Sequence, residues 1–568
     1  MHQLETSWQI RDADPDVVDR LSYELGITPL LARMLAVRGV QDPESGRRYL
    51  GHEPYELNPW ALPGIDKAAR RLASALDTGE PIVVYGDYDA DGVTSTSLLF
   101  SYLARAGYNV QYFLPHRFED GYGMNCNALQ DLADRGLKLV VTVDNGVSSI
   151  QEVEFAKSRG MEVIITDHHT PPAVLPSPYA IINPRLGGCP IEMAGLAGVG
   201  VAYTLASALE EIAPSGHGVE DLLDLVAIGS IADMAPLTGV NRTLVARGLH
   251  LIATAPRPGI QALAEIANIN SLAAIDAGDI GFRIGPRINA AGRMDHPEVG
   301  LKLFLAETLD DARVFAVELD RLNRLRQETS KRVEAEAMML AELEVDPTKD
   351  SAIVLAKEDW HHGVIGIVAS RLVEAYARPV ILLALDGDHW KGSGRSPEGI
   401  SLFKALEASR DLLTRWGGHA QAAGVGLERQ NLDAFRERLD AAVRQQGLDV
   451  SERPPRYLDA EVHLAEMTPQ VVRELAWLQP TGQGNPEPVL CVRGVQVVKQ
   501  KLRGKEKRHL FLEVQHGLEI REAVGFNMGE LHPVPDRVAL AFTPEFNHFN
   551  GQLKVQLRLH GVARAAEA

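Results

Sequence analysis

The most informative segment of this 568-residue chain reads PIVVYGDYDADG and spans residues 81–92. Its first half, from Pro81 to Tyr85, is a short apolar run rich in β-branched residues, which is typical of a buried β-strand. Its second half carries three aspartates at alternate positions, and the stretch VTSTSLLFSYLARAG (93–107) that follows has the pattern of a helix closed by Gly107. A buried strand that leads through an acidic turn into a helix predicts one βα unit of an α/β domain.

The same alternation continues on the C-terminal side of this segment. Four further apolar runs are separated by helical or polar stretches: VQYFL (110–114), LKLVVTV (137–143), MEVIIT (161–166) and YAII (179–182). Continuous apolar strands separated by helices indicate a mostly parallel sheet that is covered on both faces. We therefore predict an α/β fold whose first domain is built on a parallel sheet.

The rest of the chain divides into regions of different character. A long helix is predicted after Thr308, because Thr308-Leu-Asp-Asp311 resembles a capping box and the following residues carry dense Glu and Arg. About five short strands with glycine turns near the C-terminus predict a small all-β barrel. The predicted regions are an unassigned N-terminal segment (1–45), the first α/β domain (46–305), the connecting helix (306–346), a smaller α/β domain (347–450) and the barrel (455–568).

Composition limits the class of protein. The formal net charge of -19 argues at first against a nucleic-acid partner, although the total says nothing about where the charges lie. The three cysteines, Cys126, Cys189 and Cys491, are too few and too far apart for a disulfide framework or a structural zinc site, so we expect a reducing cytoplasm. No uninterrupted apolar run approaches the length of a membrane span, so we expect no membrane partner.

Acidic and imidazole side chains follow three of the predicted strands. Since ligands bind at the carboxyl ends of parallel strands, these side chains are expected to meet in one crevice. Each aspartate could instead be a helix N-cap or a turn former, which is a common reason for Asp at such positions. The residues concerned are Asp87, Asp89 and Asp91, then Asp144, and then Asp167, His168 and His169.

A fourth candidate is Asp233, which lies within the apolar stretch IGSIADMAPL. A carboxylate in such a context is expected to be paired or bound to a metal, although it could also follow a helix and face solvent. Clustered carboxylates repel one another unless cations neutralise them, and oxygen ligands with one or two imidazoles suit manganese or magnesium. The sequence therefore predicts a site for divalent cations. By contrast, the glycine pattern GLAGVG (195–200) lacks a preceding strand, so it predicts the start of a helix rather than a dinucleotide site.

These motifs together resemble the DHH phosphoesterase superfamily. Its four motifs correspond to DYDADG (87–92), DNG (144–146), DHH (167–169) and IAD (231–233). The second α/β region resembles the DHHA1 domain in KGSGRS (391–396) and GGHAQAAG (417–424), while GPRINAAGR (285–293) resembles a segment of the RecJ family. The similarity extends from about residue 45 to the end, and it implies that the terminal barrel is an OB-fold.

The resemblance implies two divalent metal ions, Mn²⁺ or Mg²⁺, that hydrolyse a phosphodiester bond through activated water. Asp144 would bridge the two ions. Asp91, His168 and Asp233 would complete one site, while Asp89, with Asp87, would serve the other. His169 would contact the scissile phosphate or the leaving oxygen, so the catalytic set is Asp91, Asp144 and His169. One departure concerns the first ion: many superfamily members have a metal-binding His where this chain has Tyr85.

Substrate contacts are also implied by the resemblance. Arginine suits phosphate because its planar fork makes paired hydrogen bonds. Arg117 and Arg293 could equally be ordinary surface or ion-paired arginines, and His419 could belong to a structural glycine turn. The residues assigned to the substrate are Arg117, Arg287, Asn289, Ser393, Arg395 and His419.

The predicted barrel holds a concentrated basic run. The run comprises Lys501, Arg503, Lys505, Lys507 and Arg508, and several phenylalanines follow it. Basic grooves with aromatic platforms hold single strands in such barrels. The basic run could instead be a solvated loop, and the phenylalanines could instead pack in the core. We expect most of these phenylalanines to lie in the core. The phenylalanines are Phe511, Phe526, Phe542, Phe546 and Phe549.

The leading hypothesis is a metal-dependent 5′→3′ exonuclease that degrades single-stranded DNA, preferably with a 5′ phosphate, in DNA repair and recombination. The resemblance also implies a monomer that works with a single-strand-binding protein and a helicase. One alternative is a DHH phosphodiesterase acting on short oligonucleotides or cyclic dinucleotides. Another is a catalytically inactive replication scaffold, although all the acidic motif positions are filled here.

Overall fold

The N-terminal segment is part of the C-terminal domain. The computed structural model describes residues 8–121, 123–346, 348–447, 456–549 and 552–564, without the side chains of 548, 549 and 552. The segment forms one strand and three helices: β1 (Trp8–Ile10), α1 (Pro15–Leu25), α2 (Pro29–Val37) and α3 (Pro43–Tyr49). Leu31, Met34 and Leu35 of α2 are fully buried in a hydrophobic core that they share with the barrel.

The first α/β domain contains the predicted parallel sheet. Its strand order is β3-β2-β4-β5-β6, and all neighbouring pairs are parallel. Hydrophobic clusters cover both faces of the sheet, as the continuous apolar runs predicted. The elements are α4 (Ile65–Thr78), β2 (Ile82–Tyr85), α5 (Ala90–Arg105), β3 (Val110–Phe113), α6 (Cys126–Asp134), β4 (Leu139–Val143), α7 (Ile150–Ser158), β5 (Glu162–Thr166) and β6 (Ala180–Ile182).

A helical layer completes this domain and leads into the connecting helix. Residues 277–294 form a nearly continuous helical segment that includes a π-helix, Ile280–Ile284. The long helix is capped by the Thr308 side chain, as predicted, and runs for 36 residues. The helices are α8 (Gly198–Ile212), α9 (Leu223–Ala232), α10 (Gly239–Thr254), α11 (Pro258–Ile266), α12 (Ala277–Asp279), α13 (Gly285–Met294), α14 (Glu298–Leu305) and α15 (Leu309–Glu344).

The smaller domain is a mixed α/β unit. Its five strands lie in the order β10-β11-β9-β8-β7, and only β7 and β8 are parallel. Pairing of β9 with β11 places Ser393 opposite Gly424 and Arg395 opposite Ala422. The elements are β7 (Ile353–Ala356), α16 (His362–Tyr376), β8 (Val380–Asp386), β9 (His389–Arg395), α17 (Leu402–Glu407), β10 (Leu413–Gly418), β11 (Ala422–Glu428) and α18 (Leu432–Arg444).

The C-terminal domain is a barrel built on the five predicted strands. Pairing of β14 with β17 closes a sheet in the order β13-β14-β15-β16-β18-β17, and β12 pairs with β1 of the N-terminal segment. The elements are β12 (Arg456–Leu458), β13 (Ala460–Glu461), α19 (Pro469–Leu475), β14 (Leu490–Arg503), β15 (His509–His516), β16 (Glu519–Gly525), β17 (Arg537–Phe549) and β18 (Gln552–Arg564).

The expectation that most of the barrel phenylalanines lie in the core is wrong. Phe542 is fully buried, but Phe511 and Phe546 are only partly buried and the ring of Phe526 is 53% exposed. The side chain of Phe549 lies outside the described residues. The reason is strand alternation, since on β15 Leu510 and Leu512 point into the barrel and the intervening ring therefore points outward.

Candidate metal centre

Neighbouring strands bring the predicted acidic residues to one edge of the sheet. Strands β2, β4 and β5 are adjacent, and each is followed by one of the acidic motifs. Asp233 does not follow a strand; it is the residue directly after the C-terminal end of α9. All of these side chains are buried or half-buried, so the cluster is set into the protein rather than exposed on the open surface.

The side chains form three overlapping groups, each with ligand atoms within 4.8 Å of one another. One group is purely carboxylate and contains Asp87, Asp89 and Asp144. Because Asp144 and His168 each belong to two groups, the three groups form one continuous cluster of potential metal ligands. The other groups are Asp91, His168 and Asp233, and Asp144, His168 and His169.

Asp144 occupies the centre of this site at a cost in backbone strain. Its φ of 62° lies in the left-handed region, which is unfavourable for a residue with a side chain. The next residue holds the turn in place, since the Asn145 side chain donates to the carbonyls of Tyr85, Gly86 and Val143. The DNG motif therefore fixes the carboxylate between the other ligands.

Asp91 is held by the N-terminus of α8. The backbone N–H of Gly198 donates to Asp91 Oδ2 at 2.7 Å, and that of Val199 donates to Oδ1 at 2.9 Å. A Cβ atom on Gly198 would lie 2.7 Å from Asp144 Cβ, so this position requires glycine. The sequence correctly placed the GLAGVG stretch at the start of a helix, but it gave no indication that the helix contacts the acidic site.

The charges of the site are unbalanced without cations. Burial, together with the neighbouring carboxylates, raises the pKa of Asp87 and Asp144 well above the usual range. The same causes raise the pKa of Asp91 to about 7 and that of Asp233 to about 8. Burial lowers the pKa of His168 to about 3, so its imidazole is neutral and able to act as a metal ligand.

Three buried polar atoms of the site have no hydrogen-bond partner among the described residues: Asp87 Oδ1, Asp144 Oδ1 and His168 Nε2. The last two lie 3.0 Å apart, but no hydrogen bond joins them. Buried polar atoms are normally paired, and unpaired ones at a functional site indicate a missing partner such as an ion. Oxygen-rich groups with one imidazole suit Mn²⁺ or Mg²⁺, so these residues fit such ions.

Asp167 positions His169 rather than joining the ligand groups. Its carboxylate accepts hydrogen bonds from the backbone N–H groups of Val147, His168 and His169. Asp167 Oδ1 also lies 2.8 Å from Nδ1 of His169. Although burial opposes protonation, this contact outweighs it and raises the pKa of His169 to about 9. His169 is therefore a partly exposed, positively charged group at the rim of the site.

Tyr85 does not replace the missing histidine ligand. Its side chain is fully buried in the core on the other face of the sheet, where its ring packs against Phe113. Its hydroxyl donates to the carbonyl of Gly123 at 3.2 Å. The cluster of the Asp87, Asp89 and Asp144 carboxylates thus forms without a contribution from Tyr85.

Three arginines gather between this site and the smaller domain. Burial lowers the pKa of Arg395, and the positive charge of Arg117 lowers it further. Burial and repulsion from Arg117, Arg326 and Arg395 likewise lower the pKa of Arg293 to about 10. Arg395 donates to Ser393 Oγ at 3.1 Å. Partly desolvated guanidinium groups that repel one another are suited to binding an anion such as phosphate.

The other predicted substrate residues are placed differently. Arg287 forms an ion pair with Asp320 of α15 at 3.0 Å, so the structure engages it there rather than in the arginine cluster. Asn289 Oδ1 accepts the N–H of Ala90 at 2.9 Å and thereby supports the loop that carries Asp89 and Asp91. His419 is exposed in the turn between β10 and β11, next to the end of β9 that carries Arg395.

The basic run of the barrel forms an exposed hairpin. Lys501 and Arg503 lie on the outer side of β14, and the remaining residues occupy the turn before β15. The guanidinium of Arg503 lies 4.7 Å from the centroid of the Phe511 ring. An outward ring with a cation above it is a surface suited to stacking with a base. The turn residues are Lys505, Lys507 and Arg508.

Comparison with known proteins agrees with this architecture. Three family models match: "DHH family, N-terminal domain" at residues 81–230, "DHHA1 domain" at 349–445 and "RecJ OB domain" at 458–561. The single-stranded-DNA-specific exonuclease RecJ of Salmonella typhimurium is 39% identical over 97% of this chain and 98% of its own length. This chain belongs to the RecJ family.

Other members of the RecJ family show the same extent of similarity. RecJ of Escherichia coli is 38% identical over 98% of this chain and 99% of its own length. The crystal structure of RecJ from Thermus thermophilus in complex with Mn²⁺ superposes with a TM-score of 0.85 at 33% identity, covering 98% of this chain and 79% of that one. Its complex with Mg²⁺ gives a TM-score of 0.78 at 32% identity, covering 98% and 78%. The predicted DHH, DHHA1 and OB-fold architecture is thus confirmed.

Proposed function

We propose that this protein is a metal-dependent exonuclease that hydrolyses single-stranded DNA from the 5′ end and acts in DNA repair and recombination. The observation that carries the proposal is the buried acidic cluster with three polar atoms that have no hydrogen-bond partner among the described residues. Membership of the RecJ family, whose curated relatives are single-stranded-DNA-specific exonucleases, supplies the substrate.

Each ligand group has a distinct role in this proposal. Asp87 and Asp89 would hold one divalent ion, and Asp91, His168 and Asp233 would hold the other, while Asp144 would contribute its carboxylate to both groups. Bound Mn²⁺ or Mg²⁺ would supply Lewis acidity and lower the pKa of the attacking water. The α8 N-terminus keeps the Asp91 carboxylate oriented, because two backbone N–H groups already occupy part of its lone pairs.

The remaining residues bind and orient the DNA. His169, held protonated by Asp167, lies where it can contact the scissile phosphate and donate a proton to the leaving oxygen. Arg117, Ser393 and Arg395 bind the terminal 5′ phosphate beside the exposed turn of His419. Arg293 makes the phosphate contact that the sequence suggested for Arg287. A terminal phosphate held at a fixed distance from the metal centre makes the enzyme cut from the end.

The barrel extends the contact with DNA beyond the active site. Its exposed basic hairpin and the Arg503–Phe511 pair offer a charged and aromatic surface for a single strand. We also propose that the enzyme acts as a monomer and works together with a single-strand-binding protein and a helicase. All three cysteines are free thiols, which supports a reducing cytoplasm. In the described ranges, none of the helices is long and apolar enough to cross a membrane.

The decisive test is nucleotide release from single-stranded DNA. With Mn²⁺ and a 5′-phosphorylated strand, we expect nucleotides to be released from the 5′ end by the wild-type protein. Asp144→Asn removes the shared carboxylate, so activity should fall by roughly a thousandfold or more. Calorimetric titration with Mn²⁺ should show weaker binding by the same variant.

A matched control is Asp66→Asn, which alters an exposed carboxylate on α4 that is paired with Arg70. This variant should retain both activity and metal binding. Equal rates for wild type and Asp144→Asn would refute the two-metal proposal. Hydrolysis of cyclic dinucleotides but not of long strands would favour the alternative phosphodiesterase.

A further inference from the structure

Four aromatic side chains form a continuous series of ring contacts across the junction of the two α/β domains. The imidazoles of His296 and His116 are stacked with their centroids 5.7 Å apart, and the ring of Phe118 meets His116 edge to face at 5.6 Å. Phe118 in turn meets the imidazole of His361 edge to face at 5.7 Å. Rings at such distances and angles attract one another. This set of four side chains, the ring chain, joins the first α/β domain to the smaller one.

The two ends of the ring chain are fixed to helices of different domains. His296 lies between α13 and α14, where its Nδ1 accepts the N–H of Glu298 at 3.2 Å. His361 caps α16 of the smaller domain, since its Nδ1 accepts the N–H of Gly363 at 3.0 Å. A Cβ atom on Gly363 would lie 2.1 Å from the carbonyl oxygen of Arg293, so the start of α16 directly contacts the end of α13. The ring chain therefore spans a closely packed junction.

The middle rings flank Arg117, which is one of the three clustered arginines. His116 and Phe118 are its neighbours in sequence, in the loop between β3 and α6. The guanidinium of Arg117 lies 4.9 Å from the centroid of the Tyr88 ring, and burial and the charge of Arg117 together lower the pKa of Arg395. The backbone at Arg117 therefore cannot move away from the cluster without breaking a ring contact on one side or the other.

The ring chain places imidazoles beside an arginine, which is favourable only if the imidazoles are neutral. Burial, followed by neighbouring positive groups, lowers the pKa of His361, and these groups are His362, Arg117 and Arg332. Burial likewise lowers the pKa of His296, although the carboxylate of Glu298 opposes the shift. A neutral imidazole whose Nδ1 accepts a hydrogen bond carries its proton on Nε2, so the hydrogen bonds of both residues fit uncharged rings.

We propose that His116, Phe118 and His361 are positioning residues, which hold the loop of Arg117 at the phosphate site by joining it to both α/β domains. This inference rests on the proposed function, because it takes Arg117 as a ligand of the terminal 5′ phosphate. A small displacement of a positioning group can cost a large factor in rate. The smaller domain thus contributes Arg395 to the phosphate site and also fixes the place of Arg117, which belongs to the first domain. The ring chain takes no part in the bond cleavage.

The test measures the preference of the enzyme for a 5′-phosphorylated single strand over a 5′-hydroxyl strand, as the ratio of the two kcat/KM values with Mn²⁺. Phe118→Ala breaks the ring chain at its centre, so kcat/KM on the phosphorylated strand should fall roughly tenfold, mostly through KM. The kcat/KM on the 5′-hydroxyl strand and the affinity for Mn²⁺ should not change. Phe118→Tyr keeps the ring and should restore the preference.

A double variant separates positioning from general support of the fold. Because Phe118 acts through Arg117, the effects of the two substitutions should not add. Arg117→Gln should remove the preference, and the double variant should lose no more than Arg117→Gln alone. The matched control is Phe155→Ala, which removes a half-buried ring from α7 and should keep the preference of the wild type.

Additive losses, or an equal fall of kcat/KM on both strands in Phe118→Ala, would refute the positioning role. Full retention of the preference by Phe118→Ala, while Arg117→Gln loses it, would refute that role as well. If the wild type releases nucleotides without any preference for the phosphate, the proposed phosphate site fails instead, and if it releases none, the proposed function fails. The failure of this inference and that of the proposed function are therefore distinguishable.

Discussion

Arg287 and Arg293 show how far a single residue can be interpreted from its motif. Both lie in the GPRINAAGR segment, and the resemblance assigned Arg287 to the substrate while Arg293 could have been an ordinary surface arginine. Six residues on a helix turn the side chain by well over a right angle, so the two arginines face different neighbours. The structure pairs Arg287 with Asp320 and brings Arg293 towards Arg117 and Arg395.

A comparison of these two arginines tests the proposed phosphate site. Arg293→Gln should remove the preference for a 5′-phosphorylated end over a 5′-hydroxyl end, by roughly tenfold in kcat/KM, because a charge-assisted hydrogen bond is lost. Arg287→Gln, the matched control from the same helix, should retain that preference. The measurement is kcat/KM on the two kinds of strand. Loss of the preference in both variants, or in neither, would contradict the assignment.

The βα turns of the sheet concentrate negative charge in one place. Three adjacent strands end in acidic motifs, and parallel strands necessarily present those ends at the same edge. Asp89 fits both interpretations, as a helix cap and as a candidate metal ligand. Its side chain accepts hydrogen bonds from the N–H groups of Asp91 and Gly92 at the start of α5, and it also belongs to one of the candidate ligand groups. The interpretation as a helix cap and the functional one are therefore not exclusive.

This concentration of charge predicts how stability depends on pH. The pKa values of Asp91 and Asp233 are raised to about 7 and about 8, so the fold favours their protonated forms. Their stabilising protonation is complete at low pH and is lost as the pH rises through those values. In the presence of a chelator, Tm should fall between about pH 4 and about pH 8, and Mn²⁺ should abolish the fall while releasing protons.

Differential scanning fluorimetry measures the Tm, and calorimetry in two buffers of different ionisation enthalpy measures the protons. Asp233→Asn removes one of the titrating groups and should flatten the pH dependence in chelator. If the Tm of this variant depends on pH as steeply as the Tm of the wild type, the acidic site is not the source of the pH dependence.

At the scale of the whole molecule, the two ends of the chain form one domain. Strand β1 pairs with β12, and α1–α3 share a hydrophobic core with the barrel, so residues 8–49 pack as part of the terminal domain. Removing the barrel from about residue 453 would expose that core. Substitutions on the barrel surface are therefore better tests of whether the barrel binds DNA. The net charge of -19 was also a poor guide, because acidic residues cluster at the metal centre and the basic run lies on the barrel.

One buried arginine joins this terminal domain to the catalytic domain. Arg242 of α10 donates to the backbone carbonyls of Trp477, Leu478, Gln479 and Pro480, and also to that of Tyr49. Arg242→Met leaves these carbonyls without their donor and should lower the free energy of unfolding by about 3 kcal/mol. Thermal unfolding and limited proteolysis of the barrel provide the measurements.

Arg247→Met changes an exposed arginine on the same helix and serves as the control, with little expected change. Equal stability of the Arg242→Met and Arg247→Met proteins would contradict the role of Arg242 as the link between domains. A lower Tm with normal cleavage of very short strands is expected, because the metal centre lies in the other domain.

The sequence by itself determined the fold class, the cluster of acidic residues and the family, because each depends on local patterns. Apolar runs with helices between them predict parallel strands, and motifs at the strand ends must meet at one edge of the sheet. The tertiary structure alone decided that Arg287 pairs with Asp320 while Arg293 lies near Arg117 and Arg395, which glycine allows α8 to approach Asp91, and where the N-terminal segment packs. These are contacts between residues far apart in the chain, and no local pattern encodes the direction from which a distant side chain or helix end arrives.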